Sequence, residues 1–228
     1  MTTTETEWRF IRAFAAHFQR CGLHDGEKVA ILSESQSRPA LVTTARLAAQ
    51  SLGGRVFDVV VPTPPAAHAV PIRSTGASQA IAGHPAVIAA LGASDLVIDC
   101  TVEGLLHSPE LGQILGAGAR VLMISNEHPE VLERLPWDDD LPRRVGIGHD
   151  WIRSASGMHV SSAHGTDLEV RLAGAFTAGS TGLTAGAGSI AHWPGGLVLA
   201  FPAAHSVNGT IVLAPGDMNL PFNRLVEP

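Results

Sequence analysis

Two histidines in this chain stand on loop segments that could shape a ligand site. They are His107, in Leu105-Leu106-His107-Ser108-Pro109-Glu110, and His192, in His192-Trp193-Pro194-Gly195-Gly196. An imidazole changes charge near neutral pH, so a histidine at the mouth of a site can take a proton from a hydroxyl and return it later. The run from His192 to Pro202, followed by Asn208-Gly209-Thr210 and Gly216-Asp217, reads as a polar, glycine-lined approach into buried strands. Each histidine also has a plainer reading: His107 as a helix-entry residue bonded to backbone, His192 as a turn residue packed on Trp193. No pattern of His, Cys, Asp and Glu has metal-ligand spacing, so no metal ligand is assigned, and His205 and Asp217 stay ordinary loop residues.

The elements that must position these side chains alternate between helical and extended periods. Trp8, Ile11, Ala15 and Phe18 recur at helical spacing before Gly22, and Leu41, Ala45, Ala48 and Leu52 share the face of a helix opened by Ser37 and Pro39. Lys28 to Leu32, Arg55 to Val61, Asp95 to Asp99 and Arg120 to Ile124 read as strands. The unbroken apolar core of the second suits a parallel strand covered on both faces. Further helices run through Pro85 to Leu91, after a proline-rich loop over 62–71, and from a Ser108 cap to Gly118. The fold class that follows is α/β, an open, mostly parallel sheet with helices on both faces, over residues 1–154. Ligands of such sheets sit beyond the carboxyl ends of the strands. Two of those ends carry suggestive groups: Asp99-Cys100-Thr101 leading to His107, and Ser125-Asn126-Glu127-His128.

Residues 155–228 begin a β-rich second domain, with strands over Met158–Ser162, Leu168–Leu172, Leu197–Phe201 and Gly209–Leu213 and a turn at His164–Asp167. Between them, Ala173 to Gly196 holds too much glycine for a regular element and reads as a functional loop.

Composition removes several function classes. With 15 basic and 21 acidic residues, a net charge of -6 and no basic cluster, nucleic acid and anionic membrane surfaces are not expected partners. No apolar run reaches the ~18 residues of a membrane span, and the amino terminus is polar rather than a secretory signal, so a cytoplasmic protein is expected. Cys21 and Cys100 form no C-x-x-C and read as reduced thiols. No G-x-G-x-x-G follows the first strand, where Leu32-Ser33-Glu34-Ser35-Gln36-Ser37 stands, and there is no Walker lysine, so a nucleotide cofactor is not expected.

The order and spacing of Gly157-Met158-His159-Val160, Gly165-Thr166-Asp167, His192-Trp193-Pro194-Gly195-Gly196, Asn208-Gly209-Thr210 and Gly216-Asp217 resemble the 2,5-dihydroxypyridine 5,6-dioxygenases. That family is placed with the broader aminopeptidase T type. Gly22 to Leu32 is similar to the superfamily's first helix-to-strand passage, and Leu105 to Glu110 matches the dioxygenases more closely than the peptidases. The resemblance implies a ring-cleaving enzyme acting on a dihydroxypyridine-like aromatic with O₂. It also implies a non-haem Fe(II) held by two histidines and one carboxylate, with open positions for substrate and oxygen. In the family those ligands lie in the carboxyl-terminal third, beyond the counterpart of Pro228, so none is carried onto a residue here. Carried over residue by residue, His107 becomes the base for the substrate hydroxyl, His192 a hydrogen-bonding partner of the ring or oxygen intermediate, and Trp193 part of the substrate wall. Where the family has a glutamate, this chain has Gly179-Ser180-Thr181-Gly182, so Ser180 and Thr181 take its place toward the substrate.

Two other readings stay open. One is a metal-dependent aminopeptidase, which would bridge two metals with further carboxylates and histidines. The other is a chain without catalysis of its own, pairing with a second polypeptide or with copies of itself through exposed strand edges.

Overall fold

The computed structural model describes residues 6–65, 77–124, 126–184, 186–219 and 224–225. The later part of the proline-rich loop, Ser125 and most of the stretch after Asn219 lie outside them.

The first helix, α1 (Trp8–Arg20), buries Phe10, Ile11, Phe14, His17 and Phe18, a stripe that returns every three or four residues. Trp8, placed on the buried face by sequence spacing, is 66% exposed instead. After a left-handed Gly22 the chain enters β1 (Lys28–Glu34), whose last six residues are all buried. Helix α2 (Pro39–Ser51) starts on a proline and leads to β2 (Arg55–Val61). There follow α3 (Pro85–Gly92), β3 (Leu96–Asp99), α4 (Leu111–Gly116), β4 (Arg120–Ile124) and the short α5 (Pro129–Glu133). Every residue of β3 and β4 is buried, as parallel strands covered by helices on both faces require. Ser108 does not cap α4, which begins three residues later; its hydroxyl instead donates to Glu110 Oε2 at 2.6 Å.

Five strands pair in parallel in the order β2-β1-β3-β4-β8, where β8 is Ile190–Trp193. The α/β expectation therefore holds, with two corrections. Arg55–Val61 is the edge of the sheet rather than a strand covered on both sides, and Phe57 and Val60 are exposed along it. The glycine-rich stretch before Gly196 is not a continuous loop: β8 comes from it and forms the opposite edge. Ile190, Ala191 and Trp193 supply enough apolar surface to extend the sheet once the preceding glycines have turned the chain.

Side chains alternate across the sheet and build two cores. On one face Val29, Ile31, Leu96, Ile98, Leu122, Ile124, Ala191 and Trp193 pack under α1 and α2. On the other, Ala30, Leu32, Val97 and Val121 pack under α3 and α4 with Leu105, Leu111 and Ile114. A fully buried side chain of this size is worth roughly 1.5–3 kcal/mol, so these two layers hold the frame. At the amino ends of the strands Arg120 is buried and donates to the Cys21 carbonyl and both Glu27 oxygens at 2.6 Å, tying α1 to β4.

The described residues divide into two compact units, those of 6–65, 77–139 and 181–195 in the first and those of 140–180 and 196–225 in the second. Sequence places the boundary after residue 154. In the structure α6 (Leu141–Ser154) belongs with the second unit and Thr181–Gly195 with the first. In the second unit α6 packs on an antiparallel pair, β7 (Phe176–Ser180) and β9 (Leu197–Phe201). Gly179 is needed there, because a Cβ would press on Val145. A three-stranded antiparallel sheet orders β10 (Val207–Thr210), β6 (Asp167–Arg171) and β5 (Gly157–Ser161). A two-residue pair, β11 (Met218–Asn219) with β12 (Arg224–Leu225), follows.

Candidate active-site histidines at the carboxyl edge of the sheet

In the first unit β1 passes to β2 on one side and β3 lies on the other, so the strand order reverses between β1 and β3. Ligands of such sheets bind at the carboxyl ends of the strands. Register fixes which side chains share that end of the sheet. His192 pairs with Met123, Met123 with Asp99 and Asp99 with Leu32, so these four form one row across the sheet with side chains on the α3/α4 face. His107 lies in the turn between β3 and α4, which leaves the sheet at the same end and covers the same face through Leu105. The fold thus brings both candidate histidines, 85 positions apart in their numbering, to one face and one end of the sheet. His107 is exposed and His192 half-buried. Burial lowers the proton affinity of His192 below that of an ordinary imidazole, against the opposing effect of its hydrogen bond to the Pro194 backbone. The ring is therefore neutral at pH 7.

Trp193 is not beside His192 on this surface. Successive strand residues point to opposite faces, and Trp193 enters the α1/α2 core with 5% exposure. Its indole stacks on the His17 ring at 4.1 Å and 8°, and meets Phe14 and Phe18 edge-on at 4.8 and 6.5 Å. The Trp193–Pro194 peptide bond is cis. His17 Nε2 lies 2.9 Å from the Gly182 carbonyl oxygen, which only accepts, so that nitrogen carries the proton. Burial lowers the His17 pKa to about 4, with the Gly182 bond opposing and Arg20 adding slightly.

Thr181 and Gly182 reach the end of β8 by backbone. A Cβ on Gly195 would run into the Thr181 carbonyl group and the Gly182 nitrogen, and one on Gly182 would crowd Gly195. Two distant glycine-containing segments are thus held in direct contact, and the half-buried Thr181 stands beside the His192–Gly195 turn. Ser180 ends β7 in the second unit, where its carbonyl accepts from the Gly196 amide at 2.8 Å. His205 has a left-handed backbone and offers its carbonyl to Arg171, and Asp217 Oδ2 accepts from the Ala214 amide at 2.8 Å; both serve their own turns.

Sequence reading singled out the Asp99 strand end without giving Asp99 a role, and passed over Glu34 and His17. Glu34 and Asp99, at the carboxyl ends of β1 and β3, are 4% and 0% exposed, and His17 lies beneath Trp193. Acidic residues closing otherwise apolar strand runs were the available signal. Among the described residues no three His, Cys, Asp or Glu side chains converge so as to hold a metal ion. The described residues do not fit the iron site implied by the resemblance. Cys21 and Cys100 are free and buried. Among the described residues no helix is long and apolar enough to cross a membrane.

Comparison with known proteins assigns the chain. The family model for 2,5-dihydroxypyridine 5,6-dioxygenase matches residues 9–228. A 2,5-dihydroxypyridine 5,6-dioxygenase of Pseudomonas putida KT2440 is 38% identical over 201 residues, 87% of this chain and 56% of that protein. A solved structure of the 2,5-dihydroxypyridine dioxygenase from Pseudomonas putida KT2440 superposes with a TM-score of 0.82 at 33% identity, covering 95% of this chain and 62% of that one. The chain spans less than two thirds of the length of either relative. Sequence and fold agree over nearly the whole chain, which belongs to the 2,5-dihydroxypyridine 5,6-dioxygenase family.

Proposed function

We propose that this protein takes part in the oxygen-dependent opening of a dihydroxypyridine-like ring, with O₂ as co-substrate and Fe(II) as the metal, its ligands being other than the described residues. The observation that carries the reading is the family match over residues 9–228. The placement of the chain's own residues supports it. His107, exposed on the turn after β3, accepts the proton of a substrate hydroxyl, a role that requires access to the substrate. His192, neutral and half-buried on the same sheet face, donates through one ring nitrogen and accepts through the other, which suits the ring nitrogen or hydroxyl of such a substrate. Thr181, beside the His192–Gly195 turn, contributes a hydroxyl toward the substrate where the family carries a carboxylate. Trp193 contributes from behind, by fixing the end of β8 that presents His192.

The test is oxygen uptake with 2,5-dihydroxypyridine by protein expressed from its whole reading frame and supplied with Fe(II) under anaerobic conditions. Uptake stoichiometric with loss of the ring chromophore supports the reading, and its absence refutes it. His107→Ala is expected to lower kcat by ~100-fold or more, the usual worth of a positioned base. Full turnover in that variant removes the role of His107.

A further inference from the structure

We propose that Asp99 is a positioning residue for His107: its carboxylate locks the arch from Thr101 to Leu105, and the arch fixes where the imidazole stands. The inference rests on the function proposed above, in which His107 handles the proton of the substrate.

Asp99 closes β3 and is fully buried. Its Oδ1 accepts from the Thr101 amide at 3.0 Å and the Thr101 hydroxyl at 2.6 Å, and its Oδ2 accepts from the Leu105 amide at 2.7 Å. A carboxylate offers about four acceptor sites, and a single short loop fills three of these. The network continues through neighbours. Thr101 Oγ1 accepts from the Gly104 amide at 3.0 Å, and Glu34 Oε1 from the Val102 amide at 3.3 Å and the Ser78 hydroxyl at 3.1 Å. Ser37 donates to the Cys100 carbonyl at 2.7 Å, and the Ser78 amide to the Gly104 carbonyl at 2.8 Å. The amides of Thr101, Val102, Gly104 and Leu105 are thereby all bound inside the protein. Gly104 is left-handed, and the Met123 thioether occupies the space of a Cβ there. Two residues beyond Leu105 stands His107, and the Ser108 amide returns to the Leu105 carbonyl at 2.9 Å, closing the turn that contains it. An exposed histidine on a loop would ordinarily wander; the backbone of this one is held on both sides.

The chemistry calls for a carboxylate rather than an amide. Turned either way, an asparagine would point its NH₂ at the Thr101 or the Leu105 amide, donor against donor. An ionised group at 0% exposure is costly where an apolar residue could pack. Its retention at the root of the His107 turn is what the positioning role explains. The charged group facing Asp99 from the neighbouring strand is Glu34; the Cys100 thiol follows it in sequence, and His192 lies two strands away in the same row, ~10 Å by strand spacing.

The experiment is a double-mutant cycle in the oxygen-uptake assay, with rates per folded protein. Asp99→Asn is expected to lower kcat by about tenfold to a hundredfold with KM within about twofold, the signature of a misplaced group. In a His107→Ala background the same substitution is expected to cost nothing further. An equal loss in both backgrounds would show that Asp99 does not act through His107 and would overturn the proposal. Thr101→Val, which removes the hydroxyl's bonds to Asp99 and to the Gly104 amide but leaves the carboxylate in place, keeps the test open if Asp99→Asn does not fold, with a smaller loss and the same dependence on His107. Nuclear magnetic resonance provides a readout independent of turnover: Asp99→Asn or Thr101→Val should shift the His107 ring signals and speed Leu105 amide exchange. Unchanged ring signals defeat the positioning role, whereas inactivity of the wild-type protein on 2,5-dihydroxypyridine defeats only the proposed substrate reaction.

Discussion

His17 makes folding stability depend on pH in a way that can be calculated. Its ring is 6% exposed, stacked on Trp193 and bonded to the Gly182 carbonyl, and burial brings its pKa from 6.5 to about 4. The folded state therefore resists a proton that the unfolded chain accepts. Stability from this group is fully present above pH 6.5 and is lost as the pH falls toward 4. At about 1.4 kcal/mol per pH unit, the loss across that window is about 3 kcal/mol. Asp99 acts in the opposite sense, because burial raises its pKa from 3.8 to about 6, so its contribution is greatest below pH 3.8 and declines as the pH rises to about 6. The two slopes overlap and nearly cancel in the wild-type protein, so the His17 effect must be read as a difference. His17→Gln retains a donor for Gly182 but does not titrate. Urea unfolding of both proteins between pH 4 and 7.5 should show the wild type losing about 3 kcal/mol relative to the variant as the pH falls. A difference that stays flat to within ~0.5 kcal/mol across this range, as an exposed histidine would give, refutes the buried neutral ring.

Three further outcomes follow from packing. Trp193→Ala should cost about 3–5 kcal/mol, the usual range for a buried large aromatic, in the same unfolding assay; a cost under ~1 kcal/mol would mean that the indole is not in the core. Gly195→Ala should cost roughly 1–3 kcal/mol by forcing the Thr181–Gly182 backbone away, whereas Gly186→Ala, which meets open space, should stay within ~0.5 kcal/mol. Cys21, whose pKa burial raises to about 11, and Cys100, raised further by burial, should react with an aromatic disulfide reagent at pH 8 only on denaturation; rapid modification of the native protein would contradict their burial.

How much was legible beforehand depended on whether local sequence decided the outcome. β1, β3 and β4 are apolar runs bounded by helices and could be read directly, since a strand covered on both faces needs no partner to announce it. β8 could not, because Ile190–Trp193 is four residues in a glycine-rich stretch and becomes a strand only by pairing with β4. His107 and His192 stood out by residue type and resemblance. Their sharing of one face, and the departure of Trp193 to the other, is set by register with Met123 and Asp99, which sequence does not display. The Asp99 strand end stood out as suggestive but without a role, and Glu34 did not stand out at all. Only the folded loop, with four amides turned inward, shows what they hold.

The late arrival of β8 has a kinetic consequence. β4 ends at Ile124, and the strand that covers its outer edge starts at Ile190, after α6 and three strands of the other unit have been made. At ~5–20 residues per second on the ribosome, Arg120–Ile124 waits several seconds with a row of unpaired backbone groups and a fully apolar centre. Such an edge recruits other strands, including those of neighbouring nascent chains. Synthesis rate across residues 125–190 therefore governs yield: slowing translation there should increase aggregation, while the same delay placed after Trp193 should not.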